Sequence, residues 1–252
     1  MLSARHGSLG RLLSALLAAI IVAACNNAEA TGRPPARALA AASAASSDPI
    51  VVPAPLIDPG LDLRAGPVDV PLELRVPRLR ISAPVLGVGL TSKNVMDAPM
   101  APANDPVWEK AFWYRGGGTP GSASTATIAG HVDDVLGRPA LFANLKDLRP
   151  GDPIVVRDTR SGVDLQFLVT ATVTYTLKQT IDPAVLARIY GPGPAAGQGP
   201  QLSADGLSHL TLITCAGNWI NGARTFDHRL AVYAVSIPLQ LMNAVDSRHQ
   251  RS

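Results

Sequence analysis

DLQFLVTATVTYTL, residues 164–177, decides the class of fold. Its apolar side chains recur at every second position, so Leu165, Phe167, Val169, Ala171, Val173 and Tyr175 share one face. Thr170, Thr172, Thr174 and Thr176 take the other. Period two with β-branched residues on both faces is a strand, and a strand needs neighbours. Working outward, LELRVPRLRISAPV (72–85) alternates apolar and polar in stretches cut by Pro77 and Pro84, the pattern of short edge strands. STATIAG (124–130) is a small-residue β-run, and RPGDPIVV (149–156) is a turn leading into a strand. Two more strands fall at about 208–215 and 229–236, joined by a loop over 216–228. Helical signals are few. PALFANLKDL (139–148) has room for a turn or two, and in DPAVLARIY Asp182 caps a short helix with Pro183 at its first position. GPGPAAGQGP (191–200) reads as a flexible loop. Seven or eight closely spaced strands predict an all-β antiparallel sandwich or small closed barrel, without internal repeats.

The totals fit one such domain plus extra chain: 252 residues, 47% hydrophobic but only 4% aromatic, so aliphatic side chains fill most of the core. A net charge of +3 comes from scattered Lys and Arg, which gives no support to nucleic-acid binding. It is compatible with mild attraction to an anionic membrane or wall.

The N-terminus reads as an address. Arg5 and Arg11 precede the apolar run LLSALLAAIIVAA (12–24), the arrangement of a secretory signal peptide, short for a membrane span. VAAC (22–25) resembles a bacterial lipobox, in which Cys25 would be lipidated; AEA (28–30) would suit ordinary cleavage; an uncleaved short anchor is the third reading. Under each of them Cys25 is no expected disulfide partner for Cys215. Residues 1–25 are therefore expected to be signal or anchor, 26–70 an Ala/Pro-rich extended linker, 71–238 the domain, and 239–252 a polar tail. The domain is expected outside the cytoplasm, tethered to the outer face of a bacterial cytoplasmic membrane.

That leaves Cys215 as a lone thiol ending the strand HLTLITC (209–215). Thr211, Ile213 and Cys215 point one way, Leu210, Leu212 and Thr214 the other. If the following strand pairs antiparallel, Arg229 comes to lie beside Cys215. A thiol reacts as thiolate, which a nearby cation favours; a His supplies acid and base; an Arg donates hydrogen bonds to developing oxyanion charge. Of five histidines, His6 lies in the signal and His249 in the tail. His209 is about 20 Å away along the strand. His228, next to Arg229, points to the opposite face. His131, just past STATIAG, remains by elimination. Each feature alone has a bland reading: a buried strand-end Cys is more often inert core, a loop His solvated, a strand-opening Arg merely exposed.

Taken together, TLITC (211–215) resembles the Thr-Leu-x-Thr-Cys signature of sortases, the cysteine transpeptidases of bacterial cell surfaces. IAGH (128–131) resembles the segment with that family's catalytic His, and HRLAVYA (228–234) the strand with its Arg. WYRGGGTPG, GHVDD and LRPGD are most similar to class F, with class E next. The resemblance implies an eight-stranded β-barrel with one or two short helices. It implies Cys215 as nucleophile, His131 as general acid/base, Arg229 as oxyanion and substrate stabiliser with Arg224 in reserve, and Thr214 lining the substrate site. It further implies cleavage of a Leu-Pro-x-Thr-Gly-like signal between Thr and Gly through a thioacyl intermediate. The partners would be signal-bearing surface proteins and an amine of the cell wall or a pilin, with the protein a monomer. No cofactor is expected. A metal site is not supported by one Cys, one His and no CxxC or HxxxH spacing, and Asp133 and Asp134, which could suggest calcium, read better as a solvated acidic turn. The polar ending DSRHQRS gives no sign that the chain is its own substrate. An L,D-transpeptidase is disfavoured, because no His precedes Cys215 by two positions; a non-catalytic lipoprotein binding module on the same barrel is the rival from another class.

Overall fold

A computed structural model describes Leu56, Gly60 and residues 61–237, all within the unit Pro53–Ser252. The expectations for the signal, for Cys25, for most of the linker and for the polar tail lie outside the described residues. Eight strands close on themselves: β1 (Val68–Val76), β2 (Ile81–Val88), β3 (Ala111–Tyr114), β4 (Thr125–Ala129), β5 (Pro153–Asp158), β6 (Asp164–Thr176), β7 (His209–Ile220) and β8 (Thr225–Ser236). Around the barrel the order is β1-β2-β3-β4-β7-β8-β6-β5, and β5 returns to β1. The stretches read as edge strands are thus paired on both sides, because closure leaves a barrel no edge. β1 also begins at Val68, a few residues before the expected boundary, and the segment before it packs on the barrel: Leu63 accepts a hydrogen bond from Leu90 N, and Arg115 donates to Ala65 O.

The antiparallel expectation needs correcting at two seams. β2 runs parallel to β3, and β4 parallel to β7. Parallel neighbours require long crossovers, and the chain supplies them: residues 89–110 lie between β2 and β3, and β5 and β6 intervene between β4 and β7.

Leu74, Val76, Val85, Trp113, Ile128, Ile154, Phe167, Leu212 and Val232 fill the interior. The stretch 139–148 is mostly turns ending in a 3-10 turn, Leu145–Asp147, and it adds Phe142 and Leu145 to this core, both fully buried. The period-two face of β6 does not stay on one side. A register shift between Val169 and Ala171 reverses it: Phe167 and Val169 join the interior, whereas Val173 and Tyr175 face outward.

That outward patch is covered by α1 (Pro183–Tyr190), followed by α2 (Pro192–Ala195) inside the stretch read as loop. Asp182 caps α1 by accepting from Ala184 N at 2.8 Å. Ile189 packs with Tyr175, Ile213 and Ala231, and its carbonyl accepts from Thr127 Oγ1 at 2.7 Å. Arg188 lies 4.3 Å from the Tyr233 ring centre and donates to Tyr175 Oη at 3.2 Å. The helix is therefore fastened to β4, β6 and β8 beside the strand end that carries Cys215.

β7 and β8 run on as a hairpin, so the expected loop over 216–228 shrinks to a turn over residues 221–224. Pairing continues through Trp219 and Phe226 after a bulge between Ala216 and Trp219. Gly217 sits in that bulge at φ 83°, and a side chain there would collide with Asp227.

Candidate active site

Register brings Cys215 and Arg229 onto adjacent strands and sets His131 just past the end of a third. In the parallel seam Ala129 lies beside Ile213. One residue on, Gly130 N donates to Ile213 O at 3.1 Å, so the ladder continues past the end of β4. Thr214 Oγ1 then donates to Gly130 O at 2.8 Å. A β-carbon at Gly130 would come within 2.6 Å of the buried Phe142 ring, so only glycine lets this segment lie so close. By that register His131 reaches the level of Cys215. On the other side of β7, Cys215 is paired directly with Arg229 of β8. Cys215 thus stands between the two, one strand spacing of about 4.8 Å from each neighbouring chain. The face is the outer one, since Ile213, two residues back, packs under α1.

His131 is held on three sides. Trp108 and Phe112 flank its ring at 4.8 and 5.3 Å between centres. Nε2 lies 2.8 Å from the Pro99 carbonyl, which can only accept, so Nε2 carries the hydrogen and Nδ1 keeps its lone pair. Burial lowers the imidazole pKa below its ordinary value, with the Pro99 bond and the Asp133 charge pulling the other way. Burial raises the Cys215 thiol; Arg229 opposes the shift and Asp133 adds to it. Cys215 is half-buried and forms no disulfide.

Arg229 does not swing freely. Nη1 donates to the Phe226 and His228 carbonyls at 2.9 and 2.8 Å, and Nη2 to Thr225 Oγ1 at 2.8 Å. Nε has no hydrogen-bond partner among the described residues. Arg224 sits exposed in the hairpin turn at φ 50°, away from the Cys215 pair position. Thr214 is buried on the inner face, with its hydroxyl committed to Gly130. His228 and His209 are engaged elsewhere, with Asp227 at 2.6 Å and Asp205 at 3.0 Å.

The GHVDD turn is not the solvated acidic turn expected from sequence. Asp134 is buried, accepts from Leu136 N and Arg138 N, and forms an ion pair with Arg138 at 2.6 Å. Asp133 is half-buried, and its carboxyl pKa is raised by burial and by the Asp134 charge. Among the described residues no group of three His, Cys, Asp or Glu side chains could hold a metal ion.

Beside the site lies a cleft of about 1110 Å³, reached along the sheet through Ile213 and across it through Arg229. Its walls include Tyr114, Leu186, Ile189 and Tyr190. The Tyr114 and Tyr190 rings meet edge to face at 5.5 Å. Sequence reading missed this cleft and the aromatic wall behind His131. The cluster VWEKAFWY (107–114) was the only local signal for that wall, and its aromatics could as well have been core.

Among solved structures, sortase A from Corynebacterium diphtheriae is 21% identical, covering 69% of this chain and 63% of that one at a TM-score of 0.46. Sortase C-1 from Actinomyces oris is 20% identical, covering 67% and 73% at a TM-score of 0.43. Sortase C1 from Streptococcus agalactiae is 21% identical, covering 66% of each chain at a TM-score of 0.43. The chain thus spans a little under two thirds of the length of the first of these. No curated protein sequence matches it. A family model described as the Sortase domain does match, over residues 74–237, which takes in the last three residues of β1 and every later strand to the end of β8. With that match extending over more than half its length, the chain belongs to the sortase family.

Proposed function

We propose that this sortase-family chain is a cysteine transpeptidase that cuts a Leu-Pro-x-Thr-Gly-like signal between Thr and Gly and passes the acyl group to an amine. The observation that carries the reading is the register that pairs Cys215 with Arg229 of β8 and brings His131, two residues past the end of β4, to the same level. Cys215 gives its proton to His131 Nδ1, and the sulfur attacks the Thr carbonyl carbon. Arg229 donates to the oxyanion, its guanidinium already fixed by Phe226, His228 and Thr225. The imidazolium protonates the departing Gly amine, the C–N bond breaks, and a thioester remains. An amine then attacks that carbonyl, the C–S bond breaks, and Cys215 recovers a proton. Thr214 acts in this scheme through Gly130, by holding the His131 segment.

The cleft beside Arg229 suits an extended peptide. WYRGGGTPG, GHVDD and LRPGD support class F, with class E next. The proposed partners are signal-bearing surface proteins and a wall or pilin amine. The proposed setting is the outer face of a bacterial cytoplasmic membrane, reached through a lipid on Cys25 or through the N-terminal segment as a short anchor.

The test incubates the full chain with a library of Leu-x-x-Thr-Gly peptides and a glycine amine, with products identified by mass spectrometry. Cleavage between Thr and Gly with the amine joined to Thr is expected. No product from any peptide, with Cys215 titrating as a free thiol, would transfer weight to a binding module on a sortase barrel.

A further inference from the structure

Two adjacent carboxylates follow His131, and the fold treats them differently. Asp134 is fully employed, bonded to two backbone N–H groups and to Arg138. Asp133 forms no side-chain hydrogen bond or ion pair with another residue among those described. Its backbone is nevertheless fixed. It is bridged to Pro139, while Ala140 N donates to Val132 O and Phe142 N donates to His131 O. Asp133 is two residues from His131 in this pinned segment, and its charge reaches both His131 and Cys215.

Such a carboxylate is a cost to the first half of the reaction. A half-buried, unpaired anion is poorly solvated, and its charge, which raises the Cys215 thiol, opposes formation of the thiolate. Asparagine would fill nearly the same space without that penalty. The placement makes sense for the second half. A primary amine reaches the thioester as an ammonium, since an α-amino group has a pKa of about 7.7–8.0. A carboxylate without a partner among the described residues, two residues past His131, is what that cation lacks elsewhere at the site, where the fixed charge is Arg229.

Building on the transpeptidase reading, we propose that Asp133 is the acceptor subsite, holding the incoming ammonium beside the thioester at Cys215. The ammonium must lose two protons to become an amide. One passes to neutral His131 and on to water. The second ends on sulfur as the new C–N bond forms and the C–S bond breaks. The ligand class is therefore a primary ammonium, and Asp133 governs transfer rather than acylation.

The experiment compares wild-type and Asp133→Asn full-length chains with one donor peptide that the wild-type cleaves. It reads thioacyl formation and, separately, partition of the thioacyl between water and added nucleophile. The nucleophiles are Gly-Gly amide, mostly ammonium at pH 7, and hydroxylamine, uncharged there. Expected for the variant are unchanged or faster acylation and a KM for Gly-Gly amide raised about 3- to 10-fold. Transfer to hydroxylamine should be unaltered. Asp133→Glu, which keeps the charge, should recover part of the amide preference. Slower acylation with unchanged partition would overturn the proposal and make Asp133 a positioning residue for His131. Equal losses with both nucleophiles would overturn it as well. Failure of the wild-type to form any thioacyl would instead be a failure of the transpeptidase reading, distinguishable because no partition could then be measured.

Discussion

At the scale of the residue, the site is defined by two groups that burial keeps uncharged. The Cys215 thiol lies above its ordinary 9.0 and the His131 imidazole below its ordinary 6.5. The groups whose charges bear on the pair are Arg229 and Asp133, and the Pro99 carbonyl bonds the ring. Around neutrality the directions of the two shifts leave the proton on sulfur and Nδ1 unprotonated, and the proposed mechanism starts by moving that proton to Nδ1. Below the imidazole pKa both groups are protonated and no base remains. Above the thiol pKa neither is, and no acid remains for the leaving amine. A bell-shaped dependence of kcat/KM is expected, with its acid limb below 6.5 and its alkaline limb above 9.0. Because Arg229 favours the thiolate, Arg229→Ala is expected to move the alkaline limb further up as well as to slow the reaction. A limb that moves down in that variant, measured in the same buffers, would contradict the assignment of the limb to Cys215.

At the scale of the element, the decisive joint is between β7 and the end of β4. Gly130 N, Ile213 O, Thr214 Oγ1 and Gly130 O tie the two chains where His131 leaves the sheet. Thr214→Val keeps the shape and strands a buried carbonyl. Its expected cost is ~1–3 kcal/mol, seen as a fall of about 3–10 °C in Tm, with slower thioacyl formation as His131 loses its place. Thr214→Ser keeps the hydroxyl and should stay near the parent in rate. A Val variant that melts and reacts like the parent would remove the joint from the account. This joint could not be read from sequence. TLITC places Thr214 and Cys215 on opposite faces, but the partner of the inner threonine depends on a parallel strand 84 residues away. The hairpin was underestimated for a similar reason: Gly217 and Gly222 look like loop residues, whereas Gly217 is the bulge that lets β7 continue to Ile220.

At the scale of the whole molecule, barrel closure explains both what the sequence revealed and what it hid. Alternation exposed the strands, and the pairing of β7 with β8 followed from their adjacency, so Arg229 opposite Cys215 was legible. His131 was reachable only by elimination, since its nearness to Cys215 comes from the β4–β7 crossover. The face reversal in β6 at Thr170 was invisible to a period-two reading, which assumes an unbroken register. The cleft was hidden altogether, for it is assembled from the segment before β1, the end of β3, α1 and β8. The proposed function turns on a covalent acyl bond to Cys215. The most direct measurement is the intact mass of the full chain after reaction with a cleaved signal peptide, followed by mapping of the adduct, for wild-type and Cys215→Ala. One thioacyl adduct on Cys215 is expected in the wild-type and none in the variant, with both proteins melting alike. An adduct that persists in Cys215→Ala, or one that maps to Cys25, would contradict the proposed function.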